Sequence, residues 1–125
     1  MPFLRVVRTD AQRAALAARL SSLDRPKLNA VELSNNIVIA AFQGLQPTSG
    51  YKLEILAVEV IGNVLDVTVK RSSPAPGEPV RQGFESPYHV VEVARRDFDK
   101  HQFVNYRLID TSGEVLIEGT IESLN

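Results

Sequence analysis

The sequence contains no cysteine, and that absence removes disulfides, cysteine-ligated zinc, iron–sulfur clusters and thiol nucleophiles together. No window approaches 18 consecutive uncharged apolar residues, so a membrane-spanning helix is excluded. Neither sign of charge is in surplus. There are 14 Lys and Arg against 15 Asp and Glu, a formal charge of -1, whereas a nucleic-acid binder normally carries a basic excess on one face. Met1 to Arg8 has no apolar core of signal-peptide length and is interrupted by Arg5 and Arg8, so the chain as given reads as cytoplasmic. Nothing resembles G-x-S-x-G, the turn that exposes a hydrolase serine. The glycine-bearing stretch Gly44 to Gly50 has neither the following Lys nor the helix start of a phosphate loop. Catalysis and nucleotide binding are therefore disfavoured, and no enzyme, cofactor or metal is expected.

What is present is 125 residues, 44% of them hydrophobic and 23% charged. This composition suits one domain that buries roughly two-thirds of its unfolded surface without staples. Residues 3 to 8 are apolar and β-branched enough for a strand. They run into Thr9 Asp10 Ala11 Gln12, a capping box in which Thr9 and Gln12 satisfy each other's amides. Arg13 to Leu23 then carries Leu16, Leu20 and Leu23 on one helical face, and Pro26 is expected to mark the end of that helix.

From Ile37 the period shortens to two. Ile37 to Phe42 is apolar at both parities, the mark of a strand covered on both faces. Tyr51 to Val60 alternates, but its parity slips between Ile55 and Val58, which a β-bulge near Leu56 and Ala57 explains. Gly62 Asn63 turns the chain into an alternating arm at Leu65, Val67 and Val69. Tyr88 to Val93 alternates again. Phe103 to Ile109 and Glu114 to Ile121 form a last hairpin around Asp110 to Gly113, with Gly113 in the left-handed position of a G1 bulge. About seven strands and one early helix predict a mainly β (α+β) fold, an antiparallel β-sandwich or partly open barrel with the amphipathic helix against one side. Lys52, Glu54, Asp66 and Lys70 are the charges expected to protect its edges.

Of the two histidines, His89 alternates with Val91 and Val93 and is expected to be a hydrogen-bonded structural residue. His101 belongs to a charged connector with Asp97 and Asp99 that reads as a solvated linker. The more informative features are two loops. In the first, Pro47 restricts the backbone, Gly50 permits a positive φ and Tyr51 leads the next strand. In the second, Pro74, Pro76, Pro79 and Pro87 are expected to forbid a regular ladder. Each is either a rigid interstrand turn or a preformed recognition loop that loses little entropy on binding.

Gly44 x x Pro47 Thr48 Ser49 Gly50 Tyr51, then Leu53 and Ile55, then Pro74 x Pro76 Gly77, Val80 and Gln82, then Ser86 Pro87 Tyr88 x Val90 Val91, resembles the PrcB-like C-terminal domain family. The family takes its name from a subunit that associates with and stabilises a bacterial surface protease complex. The resemblance covers about residues 37 to 95, with residues 96 to 125 an additional C-terminal hairpin of a single domain spanning 1 to 125. It implies a noncatalytic, protein-binding role, and export if a leader preceded the sequence as given. The Pro47 to Tyr51 loop also resembles the N-P-T-T-G-Y loop of chagasin-type cysteine-protease inhibitors, with Gln46 in place of the Asn. The leading expectation is a protein-interaction module associated with a protease, monomeric or homodimeric. Its candidate partner-binding residues are Gly44, Pro47, Thr48, Ser49, Gly50, Tyr51, Pro74, Pro76, Gly77, Pro87 and Tyr88. The alternatives are direct protease inhibition through Pro47 to Tyr51, or small-ligand binding within a barrel with His89 and Tyr106 as polar contacts.

Overall fold

The computed structural model describes residues 1–99 and 103–121. In chain order these form β1 (Phe3–Val7), α1 (Asp10–Ala17), α2 (Arg25–Asn29), β2 (Asn36–Phe42), β3 (Gln46–Thr48), β4 (Lys52–Ile61), β5 (Val64–Ser72), β6 (Gln82–Glu85), β7 (Tyr88–Ala94), α3 (Arg95–Asp99), β8 (Asn105–Asp110) and β9 (Val115–Thr120). The fold is mainly β and closes no barrel. Three open sheets are present among the described residues: β1-β2-β7, the two-stranded β3-β6, and β4-β5-β8-β9.

The apolar run at both parities of β2 sets the layering. Ile37, Ile39 and Ala41 pack with Leu53, Ile55, Leu65, Val67 and Leu108 of the four-stranded sheet. On the other face Val38, Ala40 and Phe42 pack with Leu16, Leu20 and Leu28 of the helical layer. The expected sandwich with helical cover is thus formed as helices, three-stranded sheet and four-stranded sheet in succession.

Local chemistry places most boundaries where the sequence expects them. The capping box is complete, with the Gln12 amide donating to Thr9 Oγ1 at 3.2 Å and the Thr9 amide to Gln12 Oε1 at 3.2 Å. The β4–β5 register shifts between Ile55 and Ala57, and Ile61 pairs with Val64 across Gly62 Asn63. Gly113 has φ +89° in the β8–β9 turn.

Four expectations are corrected. The early helix stops at Ala17 rather than Leu23, because Arg25 Nε donates to the carbonyls of Ala17 and Leu20 and so satisfies the chain end. Pro26 does not end a helix but starts α2, in the first turn where its missing N–H costs nothing. The charged connector is partly helical: in α3 Arg95 donates to the Leu33 and Arg8 carbonyls, and Phe98 is buried edge-on against Phe103. His101 lies outside the described residues.

The fourth correction concerns the charges expected at the sheet edges; the pairing is mainly antiparallel, with one parallel pair among the described residues. β5 and β8 pair in parallel, with Asp66 opposite Arg107. Lys52 and Glu54 do lie on the edge strand β4, but Asp66 and Lys70 lie on the interior strand β5. Asp66 is 7% exposed and accepts a bidentate pair from Arg107, Nε at 2.9 Å and Nη2 at 2.7 Å. That carboxylate raises the pKa of the Arg107 guanidinium and locks the parallel register by fork geometry. The final hairpin therefore completes the second sheet. No helix among the described residues is long and apolar enough to cross a membrane.

His89 joins the two large sheets, its Nδ1 accepting the Ile55 amide beside the bulge at 2.8 Å. β4 is an edge strand, so an amide of it that points away from β5 has no strand partner, and the imidazole satisfies this one. His89→Leu keeps apolar bulk but removes the acceptor. Urea denaturation is expected to show a loss of about 1–3 kcal/mol with faster exchange of the Ile55 amide; unchanged stability and exchange would refute this role.

Candidate functional site

The two proline-bearing loops do not stand apart. Gln46 pairs with Glu85 and Thr48 with Gln82, so β3 and β6 form a short antiparallel flap. The ladder expected to be forbidden by proline uses the proline-free run 82–85, bracketed by Pro79 and Pro87. Beyond its end, the Ser49 amide donates to the Arg81 carbonyl at 3.0 Å, and the Arg81 amide donates to Ser49 Oγ at 2.8 Å. Ser49 therefore clamps one loop to the other with both its backbone and its side chain.

The remaining loop residues brace this flap. Ala75 Pro76 Gly77 Glu78 is a tight turn closed by the Glu78 amide on the Ala75 carbonyl at 2.9 Å. Pro76 pre-sets its second position, and Gly77 takes φ +81° at the third, the type II arrangement. This turn sits against Gly50, whose φ is +94°. A Cβ there would lie 2.9 Å from Pro74 Cγ and 3.0 Å from Glu78 Oε2. Gly50 is thus fixed twice, by backbone angle and by the close approach of the second loop.

Tyr51 and Tyr88 line different clefts. Tyr51 is half-buried beside a polar cleft of about 530 Å³ with Gln43, Gln46, Arg71 and Asp110. Both Asp110 oxygens there are engaged, by Ser112 and the Glu114 amide on one and by Arg71 at 2.8 Å on the other. The Ser112 hydroxyl above all holds the Asp110 carboxyl below the usual carboxylate range. Tyr88 lies on the helix-facing side of β7, tilted on Phe42 at 5.3 Å. Its hydroxyl donates to the Asp24 carboxylate and accepts the Ser21 amide at 3.0 Å. Accepting first from Tyr88 and then from Ser21 lowers the Asp24 pKa. Tyr88 fastens the connection between α1 and α2 to the sheet, and Pro87 precedes it with its carbonyl bonded to the Gln43 amide at 2.9 Å. Gly44, with φ +89°, leads into β3. Tyr106 is buried, its ring against Gly119 in the core.

Two residues outside the sequence-derived set change the character of the flap. Phe84 of β6 is 78% exposed and Leu45, just before β3, is 70% exposed. At the flap's base Leu45 and Gly44 border a cleft of about 500 Å³ with Phe3, Phe42 and Arg19. There Phe3 and Phe42 stack at 4.4 Å, and the Arg19 guanidinium lies 5.2 Å from the Phe3 ring centre. The only signal for Phe84 was an aromatic inside the polar run Arg81 to Ser86, which shows no period to assign it a face. Among the described residues no three His, Asp or Glu side chains stand where they can hold a metal ion.

Residues 37–94 match the family model described as PrcB C-terminal. The matched segment begins in β2 and ends in β7, which pair with each other, and it contains the whole flap. No curated protein and no solved structure matches the chain.

Gly50→Ala places an L-residue at a positive φ and its methyl against the Pro74 ring. It is expected to lower stability by about 1–3 kcal/mol and to accelerate exchange of the Ser49 and Arg81 amides. Wild-type exchange at both amides would show that the flap is not built on Gly50.

Proposed function

We propose that residues 37–94, which belong to the PrcB C-terminal family, present the β3–β6 flap as a noncatalytic docking element for a protein partner. The observation that carries this reading is the exposure of Phe84 and Leu45 on a flap whose backbone is already fixed by hydrogen bonds. Large apolar side chains held out on an ordered support lose little entropy on binding, and aromatic anchors of this kind dominate interface energy. The aromatic cleft below Leu45 offers a pocket for a partner's own anchor. The family resemblance supplies the class of partner, a component of a protease complex. Within that reading Pro47, Thr48, Ser49, Gly50, Pro74, Pro76 and Gly77 hold the shape of the surface, while Phe84 and Leu45 make the contact.

A second reading follows from the braced Pro47 to Tyr51 loop, since a loop stiffened by Ser49 and Gly50 also suits insertion into a protease cleft. The two readings separate in one experiment. Wild type and a Leu45→Ser, Phe84→Ser double variant, matched for fold by circular dichroism, are used for affinity capture from source-cell extract and for titration against a papain-like protease. Docking predicts a protease-complex component held by wild type and bound about 30-fold or more weakly by the variant, as expected for loss of a 2 kcal/mol hot spot, with no inhibition by either. Equal retention of that component by both proteins would refute the flap as the contact. Dose-dependent inhibition by both would favour the inhibitor.

A further inference from the structure

The cleft at the base of the flap is aromatic in its floor and cationic at its side. Phe3 faces Phe42 across the β1–β2 ladder, and the two rings stack at 4.4 Å with 6° between their planes. Residues two apart in a strand share a face. Arg5 therefore comes to the same ring, its guanidinium carbon 4.8 Å from the Phe3 centre. Arg19 reaches that ring from the turn after α1, at 5.2 Å. One aromatic ring thus carries two cations.

No carboxylate offsets them. Among the described residues neither guanidinium has an ion pair, and no acidic side chain lines the cleft. Partial burial and then the Arg19 charge lower the Arg5 pKa, and the opposing influence comes from Tyr106 rather than from an acid. The two arginines differ in the donors they have left. Arg5 Nη1 donates to the Leu4 carbonyl at 2.8 Å. Arg19 is exposed, and its guanidinium donates no hydrogen bond among the described residues. A guanidinium lying over an aromatic ring keeps its N–H edge open, and that edge matches a carboxylate bidentately.

Stacked rings beside two unneutralised cations call for an occupant that brings an apolar side chain and an anion together. Leu45 borders the cleft, and with Phe84 it carries the apolar surface out along the flap. A small acid would leave that surface bare, so the occupant is a chain segment. The whole chain has no basic excess to suit a phosphate backbone. A two-fold contact between copies would set the same patch against itself. Flap and cleft together carry Arg5, Arg19 and Arg81 against Glu85, and Glu85 is already held by Arg81 at 3.2 Å, so such a contact opposes like charge.

We propose that the partner segment that docks on the flap carries Asp or Glu next to an aromatic residue. Its ring enters the cleft against Phe3, Phe42 and Leu45, and its carboxylate bonds the Arg19 guanidinium while Arg5 adds its charge. This inference rests on the docking reading above and specifies the chemistry of that partner.

The test uses the whole chain and two capped peptides of about nine residues. In one, a central Phe is flanked on both sides by Asp and Glu; in the other, by Asn and Gln. Amide-resolved NMR titration reads where each binds and how tightly. At low salt the acidic peptide is expected to bind about three- to tenfold more tightly than the amide peptide, with shifts at Phe3, Arg19 and Leu45. That advantage should fall below about twofold near 0.5 M salt. Arg19→Gln should remove most of it and Arg19→Glu should reverse it, both variants being matched to wild type by circular dichroism. The Leu45→Ser, Phe84→Ser variant should weaken both peptides alike and leave their ratio unchanged. Equal affinity of wild type for the two peptides at the cleft would overturn the inference while leaving apolar docking in place. Undiminished binding of both peptides by the Leu45→Ser, Phe84→Ser variant would instead overturn the docking reading, and this inference with it. Failure of both peptides to shift the cleft residues at about 1 mM would overturn the inference, as would tighter binding of an oligothymidylate at the cleft. So would sedimentation showing a wild-type dimer that the Leu45→Ser, Phe84→Ser variant does not form, because the occupant would then be a second copy.

Discussion

β2 has no face that water reaches. Ile37 to Phe42 are each 2% exposed or less, so the chain must supply apolar cover on both sides of one strand. That demand accounts for the three layers. Leu16, Leu20 and Leu28 close one face, which needs both short helices and the Arg25 side chain that ends the first and frees the chain to start the second. Leu65, Val67 and Leu108 close the other, which needs the parallel β5–β8 pair at the centre of the second sheet. With β2 fixed between two layers, its neighbours β1 and β7 form the two edges of the sheet, and its continuation, Gln43 to Gln46, leads directly into the flap.

Features governed by residues close in sequence were legible before the structure. The Thr9–Gln12 box, the bulge beside Leu56, the Gly62 Asn63 turn and the Gly113 turn each depend on a few adjacent residues, and each forms as read. Pairings between distant residues were not. Asp66 in an alternating strand looks the same at an edge as in the middle of a sheet. Only Arg107, 41 residues away, separates the two by engaging the carboxylate at both oxygens. Likewise α3 is stabilised by Arg95 reaching carbonyls 62 and 87 residues distant, contacts that a run of charges does not announce.

The candidate site divides along the same line. Gly50, Pro76 and Gly77 were legible because their backbone demands are intrinsic. That the two loops would pair with each other was not, since Ser49 and Arg81 meet across 32 residues. Tyr88 shows the converse: its place at a strand start suggested an exposed anchor, yet its hydroxyl is held by Asp24 and Ser21. The apolar surface instead comes from Leu45 and Phe84. Loop residues that set the flap's shape and residues that expose apolar surface are thus different sets, joined in one flap.

The central claim is that this flap is ordered before it meets a partner and is the surface the partner covers. Amide exchange across residues 44–51 and 81–86, measured on the free protein and again with a captured partner bound, tests it most directly. The account predicts that the Ser49 and Arg81 amides are already protected in the free protein, and that the partner extends protection to the neighbouring flap amides. Exchange at unstructured-chain rates throughout the flap in the free protein, or a bound partner that leaves flap exchange unchanged, would contradict it.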